Sequence, residues 1–169
     1  PSHGSKPAAA AACAVAAAVA AGVAGGYSPA EVLGAAYDAA VFGEKHGAEI
    51  TAPSVSKRIR MAEYIVDAAG ETDIRNIIDE LVGIFGASMF AYESVPLTLG
   101  IFYAVDGNAK DGILAAVNAG DDADTNGAIC GNICGAYSGA KALPEEWCVR
   151  GQKTSCLDLR GTAAKVVER

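Results

Sequence analysis

The sequence predicts an all-α protein. Helix-start and helix-stop residues recur from end to end, and apolar residues repeat at three- and four-residue spacing. Alternating runs rich in β-branched and aromatic residues are nearly absent. A chain of 169 residues is long enough for one domain with a sizeable core.

Residues 7–25 form an Ala-rich run without Leu, Ile or Phe, in which Val15, Val19 and Val23 fall on one narrow helical stripe. Alanine contributes little to membrane insertion, so the run reads as a tightly packed core helix and not as a targeting segment. Ser28-Pro-Ala-Glu31 is a capping box with proline at the first helical position, opening a helix towards Gly43 or Gly47. A third helix runs from about Ser54 to Ala69, with Gly70 as its stop. Thr72-Asp73 starts a fourth, carrying Ile74, Ile77, Ile78, Leu81, Val82 and Phe85 and ending at Gly86. Ser94 with Pro96 starts a fifth, stopped near Gly107. Asn108 caps a short helix with Ile113, Leu114 and Val117, stopped at Gly120.

An acidic loop comes next, then a long helix over about residues 126–143 with Pro144 behind it. Ala128, Gly131, Gly135 and Gly139 give that helix a small-residue face for close packing. Residues 148–155 read as exposed loop, and 156–169 as a final helix. There is no internal repeat and no long linker.

The acidic stretch Asn118-Ala-Gly-Asp-Asp-Ala-Asp-Thr-Asn-Gly127 carries the chemistry. It packs three carboxylates, a hydroxyl and two carboxamides into ten residues and leads straight into an apolar helix. Hard oxygen donors in that position suit magnesium, calcium or manganese, and unpaired carboxylates beside a core are otherwise expensive. The alternative is a solvated acidic turn. Asp122, Asp124, Asn126 and Gly127 imitate the opening of an EF-hand, but the twelfth position is Ile133, and no carboxylate lies between Asn126 and Glu145. Calcium binding of that type is excluded.

Composition narrows the field further. Hydrophobic residues make up 51% of the chain and charged residues 20%, which leaves apolar surface for another polypeptide. A net charge of −7 argues against nucleic acid and anionic membranes as partners. Five cysteines without a tight framework suit reduced thiols and a cytoplasmic location. Cys130 and Cys134, one turn apart, are either soft-metal ligands or, more simply, small apolar spacers. Pro1 offers a secondary amine that is conceivable as a base; a processed chain end is the simpler reading.

The stretch 118–125, followed by Gly131, Gly135-Ala-Tyr137, Gly139 and Leu143-Pro-Glu-Glu-Trp147, resembles the carboxy-terminal signature of the ADP-ribosylglycohydrolase family. That pattern is Asn-x-Gly-Gly-Asp-Thr-Asp-Thr, a small-residue helix with Gly-Ala-Tyr, then Ile/Leu-Pro-x-x-Trp. Tyr92-Glu-Ser-Val-Pro96 resembles the family's Glu-Ser-x-Pro segment. The resemblance implies a compact multi-helix fold and a hydrolase cleaving a ribosyl N- or O-glycosidic bond with a metal-activated water. Two magnesium or manganese ions are implied. Residue by residue it makes Asp122, Asp124 and Thr125 metal ligands, and Asn118, Tyr92, Glu93 and Ser94 pocket residues. His3 becomes a ribose contact or a structural histidine, and Asp122 a catalytic candidate; Asp121, where the sequence departs from the family, is the second catalytic candidate by its charge alone.

Two departures stand out. Asp121 replaces the family's second glycine, as a ligand, a base or an outward-pointing charge, and Ala123 replaces a threonine. A charge at 121 disfavours a pyrophosphate nearby. The family's amino-terminal Thr/Ser-Asp-Asp cluster has no counterpart outside residues 121–124. Residues 1–169 are therefore expected to be the carboxy-terminal part of one such domain, completed by an amino-terminal polypeptide from the same precursor. The substrate is an ADP-ribosylated or other small molecule. The alternatives are hydrolysis of another C–N or glycosidic bond in a small non-phosphorylated substrate, or a non-catalytic structural relative.

Overall fold

The computed structural model describes residues 3–70 and 72–167. Among them are nine α-helices: α1 (Lys6–Ala24), α2 (Pro29–Glu44), α3 (Val55–Ala69), α4 (Ile74–Phe85), α5 (Ala91–Ala104), α6 (Ala109–Asn118), α7 (Ala123–Ser138), α8 (Glu145–Ser155) and α9 (Leu159–Val167). A 3-10 turn spans Ala140–Ala142, and a single bridge pairs Ser5 with Ala48. The chain is all-α, as its sequence predicts. Pro1 and the last two positions of the expected final helix lie outside the described residues.

α5 is the central helix. Every residue from 94 to 102 is buried, and α1, α2, α3, α4, α6 and α7 all touch it. A helix apolar on all sides has to be surrounded in this way. α1 and α2 form the most extensive pair. Their approach is close because Gly43 has no side chain; a Cβ there would lie 2.6 Å from the Ala9 carbonyl oxygen. α6 meets α7 in the same manner, with Gly112 facing the Cys130 and Cys134 sulfurs. Those two cysteines are buried spacers, 3.8 Å apart at sulfur, and burial with that contact pushes the Cys130 thiol well up.

Several expectations need correction. α1 alone among the described residues has the length and apolarity of a membrane-crossing helix. Its buried face, however, is Ala10, Ala11, Ala14, Ala18 and Gly22, with Val15 and Val19 at the flank and Val23 exposed. Small residues suit that face because α1 approaches α2 closely at Gly43 and α7 closely at Gly22. α7 begins at Ala123 and stops before Gly139, whose φ is 78°, so it does not reach Leu143. Its packed face is Asn126, Gly127, Cys130, Ile133 and Cys134; Ala128 and Gly139 are exposed, and nothing lies within 4 Å of a Cβ at Gly135. Residues 148–155 are helical, as most of α8, and neither α8 nor α9 buries a residue.

α5 starts at Ala91, three residues before Ser94, and Pro96 lies inside it. A proline there has no N–H for the carbonyl four residues back, that of Tyr92. The Arg58 guanidinium donates to it instead, at 2.9 Å, and to the Phe85 carbonyl at 3.1 Å.

Candidate functional site

The connection between α6 and α7 turns on two consecutive left-handed residues, Gly120 (φ 80°) and Asp121 (φ 48°). Glycine adopts this conformation freely, and aspartate is among the few other residues that tolerate it. Asp121 therefore occupies a position whose backbone favours glycine, and its side chain is exposed. The chain then enters α7 with Asp122 at the N-cap. An aspartate there normally accepts from the helix's first amides, yet the Asp122 side chain makes no cap hydrogen bond. Asp124 and Thr125 follow within the first helical turn, so the expected acidic loop is largely the start of a helix.

The turn is held from the side by the α4–α5 connection. The Ala87 carbonyl accepts from the Asp122 amide at 3.1 Å and from the Asn126 Nδ2 at 2.7 Å. Next door, Ser88 donates from its hydroxyl to Glu93 Oε2 at 2.7 Å and from its amide at 3.3 Å. The Glu93 carboxylate also covers Gly86, where any side chain would collide with it. One short connection thus joins the acidic turn to the start of α5.

The remaining candidates are placed as follows. Tyr92 stacks on Phe90, with ring centroids 5.2 Å apart and planes 7° apart, and lies against the Arg58 guanidinium. Ser94 is buried and donates to the Phe90 carbonyl, a structural role. Asn118 donates to the Leu114 carbonyl at 2.7 Å and lines a groove between α4 and α6 with Ile74, Ile78 and Leu114. His3 is exposed, just before Gly4, whose carbonyl accepts from the Ala48 amide.

Does the turn suit a hard cation? Asp122, Asp124 and Thr125 offer two carboxylates and a hydroxyl whose side chains form no hydrogen bond or ion pair among the described residues. That donor chemistry fits magnesium or manganese. Asn126 adds a fully buried Oδ1 without a hydrogen-bond partner. Among the described residues, no three His, Cys, Asp or Glu side chains converge enough to hold an ion, so the aspartates form an open donor set.

Sequence reasoning named Asn126 only as part of the motif, and missed Ala87, Ser88 and Arg58. One signal was present: a proline six residues into a helix leaves a carbonyl that some donor has to satisfy.

The profile of a family described as ADP-ribosylglycohydrolase matches residues 1–169. An uncharacterized protein from Archaeoglobus fulgidus is 33% identical over 93 residues, which is 55% of this chain and 27% of that protein. The match thus spans about a quarter of the relative's length. No solved structure matches the chain.

Proposed function

The chain belongs to the ADP-ribosylglycohydrolase family, and from that premise we propose that it works in a metal-dependent hydrolase cleaving a ribosyl N- or O-glycosidic bond. Family membership supports the glycohydrolase class. The observation that carries the metal dependence is the Asp122 carboxylate, which sits at a helix N-cap without making the cap bond. Asp122, Asp124 and Thr125 would hold one or two magnesium or manganese ions. Bound there, the cation supplies a polarised water and a clamp for vicinal hydroxyls.

This chain's own residues orient and tune. The amide of Asp122 and the carboxamide of Asn126 fix the turn on Ala87. Glu93, tied to Ser88, adds a further acidic side chain to the connection that holds the acidic turn. Phe90 and Tyr92 present stacked rings beside it, a surface suited to a planar leaving group.

Asp121 supports a narrower second reading. An exposed charge next to the donor set repels a pyrophosphate, which favours a small uncharged substrate over ADP-ribose itself. In either case the open donor set is completed by an amino-terminal polypeptide carrying a Thr/Ser-Asp-Asp cluster, packed on this chain. The test is hydrolysis of ribosylated compounds, with and without a pyrophosphate, followed by proton NMR in the presence of magnesium or manganese. The co-expressed amino-terminal partner is included. Asp124→Ala is expected to abolish turnover and lower metal occupancy without unfolding the chain. Occupancy equal to wild type in that variant would remove Asp124 from the ligand set.

A further inference from the structure

We propose that Arg58 is a positioning residue for the acidic turn, acting through the α4–α5 connection. The inference rests on the reading of Asp122, Asp124 and Thr125 as the reactive donor set. Arg58 lies on α3, far from those residues in sequence, and meets the candidate site through Tyr92. Its guanidinium donates to the carbonyls of Phe85 and Tyr92, the residues that bracket the connection. Its Cζ also lies 5.7 Å from the Phe85 ring centroid and 5.6 Å from that of Tyr92. Between those two anchors sit Ala87, which holds the Asp122 amide and the Asn126 carboxamide, and Ser88, which holds Glu93.

The reason for an arginine here is specific. Pro96 deprives the Tyr92 carbonyl of its helical donor, and a buried carbonyl without a donor is costly. Arg58 serves both carbonyls from one nitrogen, Nη1, whose two N–H groups the planar guanidinium holds in fixed directions. The Pro96 defect and the Arg58 donor therefore work as a pair. Proline removes the intrahelical bond that would tie Tyr92 to its own helix, and arginine ties it to the end of α4 instead. The connection is thereby closed into a fixed loop with the Ala87 carbonyl turned to the acidic turn.

The test is a double-mutant cycle on the full chain. Arg58→Met keeps an apolar stem against Phe85 and Tyr92 but removes the donors. Pro96→Ala returns the missing N–H. Amide exchange at Asp122, whose N–H is bonded to Ala87, is expected to quicken about tenfold or more in Arg58→Met, the effect of losing charge-assisted bonds. It is expected to stay fast in Arg58→Met/Pro96→Ala, because the restored N–H satisfies the Tyr92 carbonyl within α5 and leaves its tie to Phe85 broken. Manganese affinity, read from the free-ion resonance signal, is expected to follow the same order. Arg58→Lys, whose single nitrogen can donate as Nη1 does but on a shorter stem, is expected to restore part of the protection lost in Arg58→Met, and it serves as the test if the methionine variant does not fold. Unchanged Asp122 exchange in a folded Arg58→Met variant, or full repair of the loss by Pro96→Ala, overturns the assignment, since repair would mean that Arg58 only satisfies a carbonyl. If wild type takes up no manganese with or without the amino-terminal partner, the metal reading falls, and exchange at Asp122 alone decides the role of Arg58.

Discussion

Asn126 donates its carboxamide to the carbonyl of Ala87, 39 residues earlier, at 2.7 Å. Both residues are buried, and the same carbonyl also takes the Asp122 amide. Asn126 thus fastens the first turn of α7 to the α4–α5 connection. Because Ala87 retains the Asp122 amide, Asn126→Leu is expected to destabilise by only about 1 kcal/mol, the net value of one hydrogen bond. Asn126→Asp places a carboxylate against a carbonyl in the same buried space and is expected to lose at least about 2 kcal/mol at neutral pH. Urea midpoints check the order; a leucine variant weaker than the aspartate variant would refute it.

Asp121 should separate backbone from chemistry. Its φ of 48° is a conformation that β-branched residues avoid. Asp121→Val is expected to lose about 1 kcal/mol or more, and Asp121→Gly to stay within about 0.5 kcal/mol of wild type. Thermal unfolding measures both. If Asp121 takes part in the reaction, Asp121→Gly keeps its melting temperature and loses turnover; full turnover assigns the residue to the turn alone.

Helix α7 is expected to tolerate added volume on one face only. A Cβ at Gly112 of α6 would lie 2.7 Å from the Cys134 sulfur. Gly112→Ala should therefore overpack the α6–α7 contact and destabilise by roughly 1–3 kcal/mol. At Gly135 a Cβ meets nothing within 4 Å, so Gly135→Ala should stabilise by up to about 1 kcal/mol through helix propensity. A loss at Gly135 would mean that this face is covered in solution.

Acid should weaken the helix starts first. Asp73 caps α4 through the Arg75 amide, and the Arg75 side chain beside it holds the Asp73 carboxyl down from 3.8 to about 2. The Ser28 amide and hydroxyl likewise lower Glu31 in the capping box of α2. A carboxyl depressed in the folded state adds stability above its unfolded value, and that stability is lost as pH falls through its folded value. Asp73→Asn is therefore expected to flatten the stability curve between about pH 4 and pH 2. An unchanged slope in denaturant titrations across that range would show that the cap does not form in solution.

The position of the acidic motif and most helix boundaries were legible because they are local. Capping residues, stop glycines and three-to-four periodicity act within one or two turns, and Ser28, Ser54, Asp73 and Asn108 all cap where the sequence puts them. Pro96 misled because a proline usually opens a helix, and only a distant arginine makes an interior one tolerable. The small residues of α7 misled in part: Gly131 packs on Ile113 as expected, but Ala128, Gly135 and Gly139 carry no sign that their part of the helix lacks a close neighbour.

The sequence by itself determined the all-α class and the order of the first seven helices, and it located the acidic stretch at the entry to α7. Tertiary structure alone decided which face each helix buries and what fixes the acidic turn. The residues that fix it, Arg58, Ala87 and Asn126, meet across stretches of up to 39 residues through backbone carbonyls. A carbonyl belongs to every residue alike, so side-chain identity carries no sign of which one is used. That choice is made only when α3, α4, α5 and α7 close around a common core.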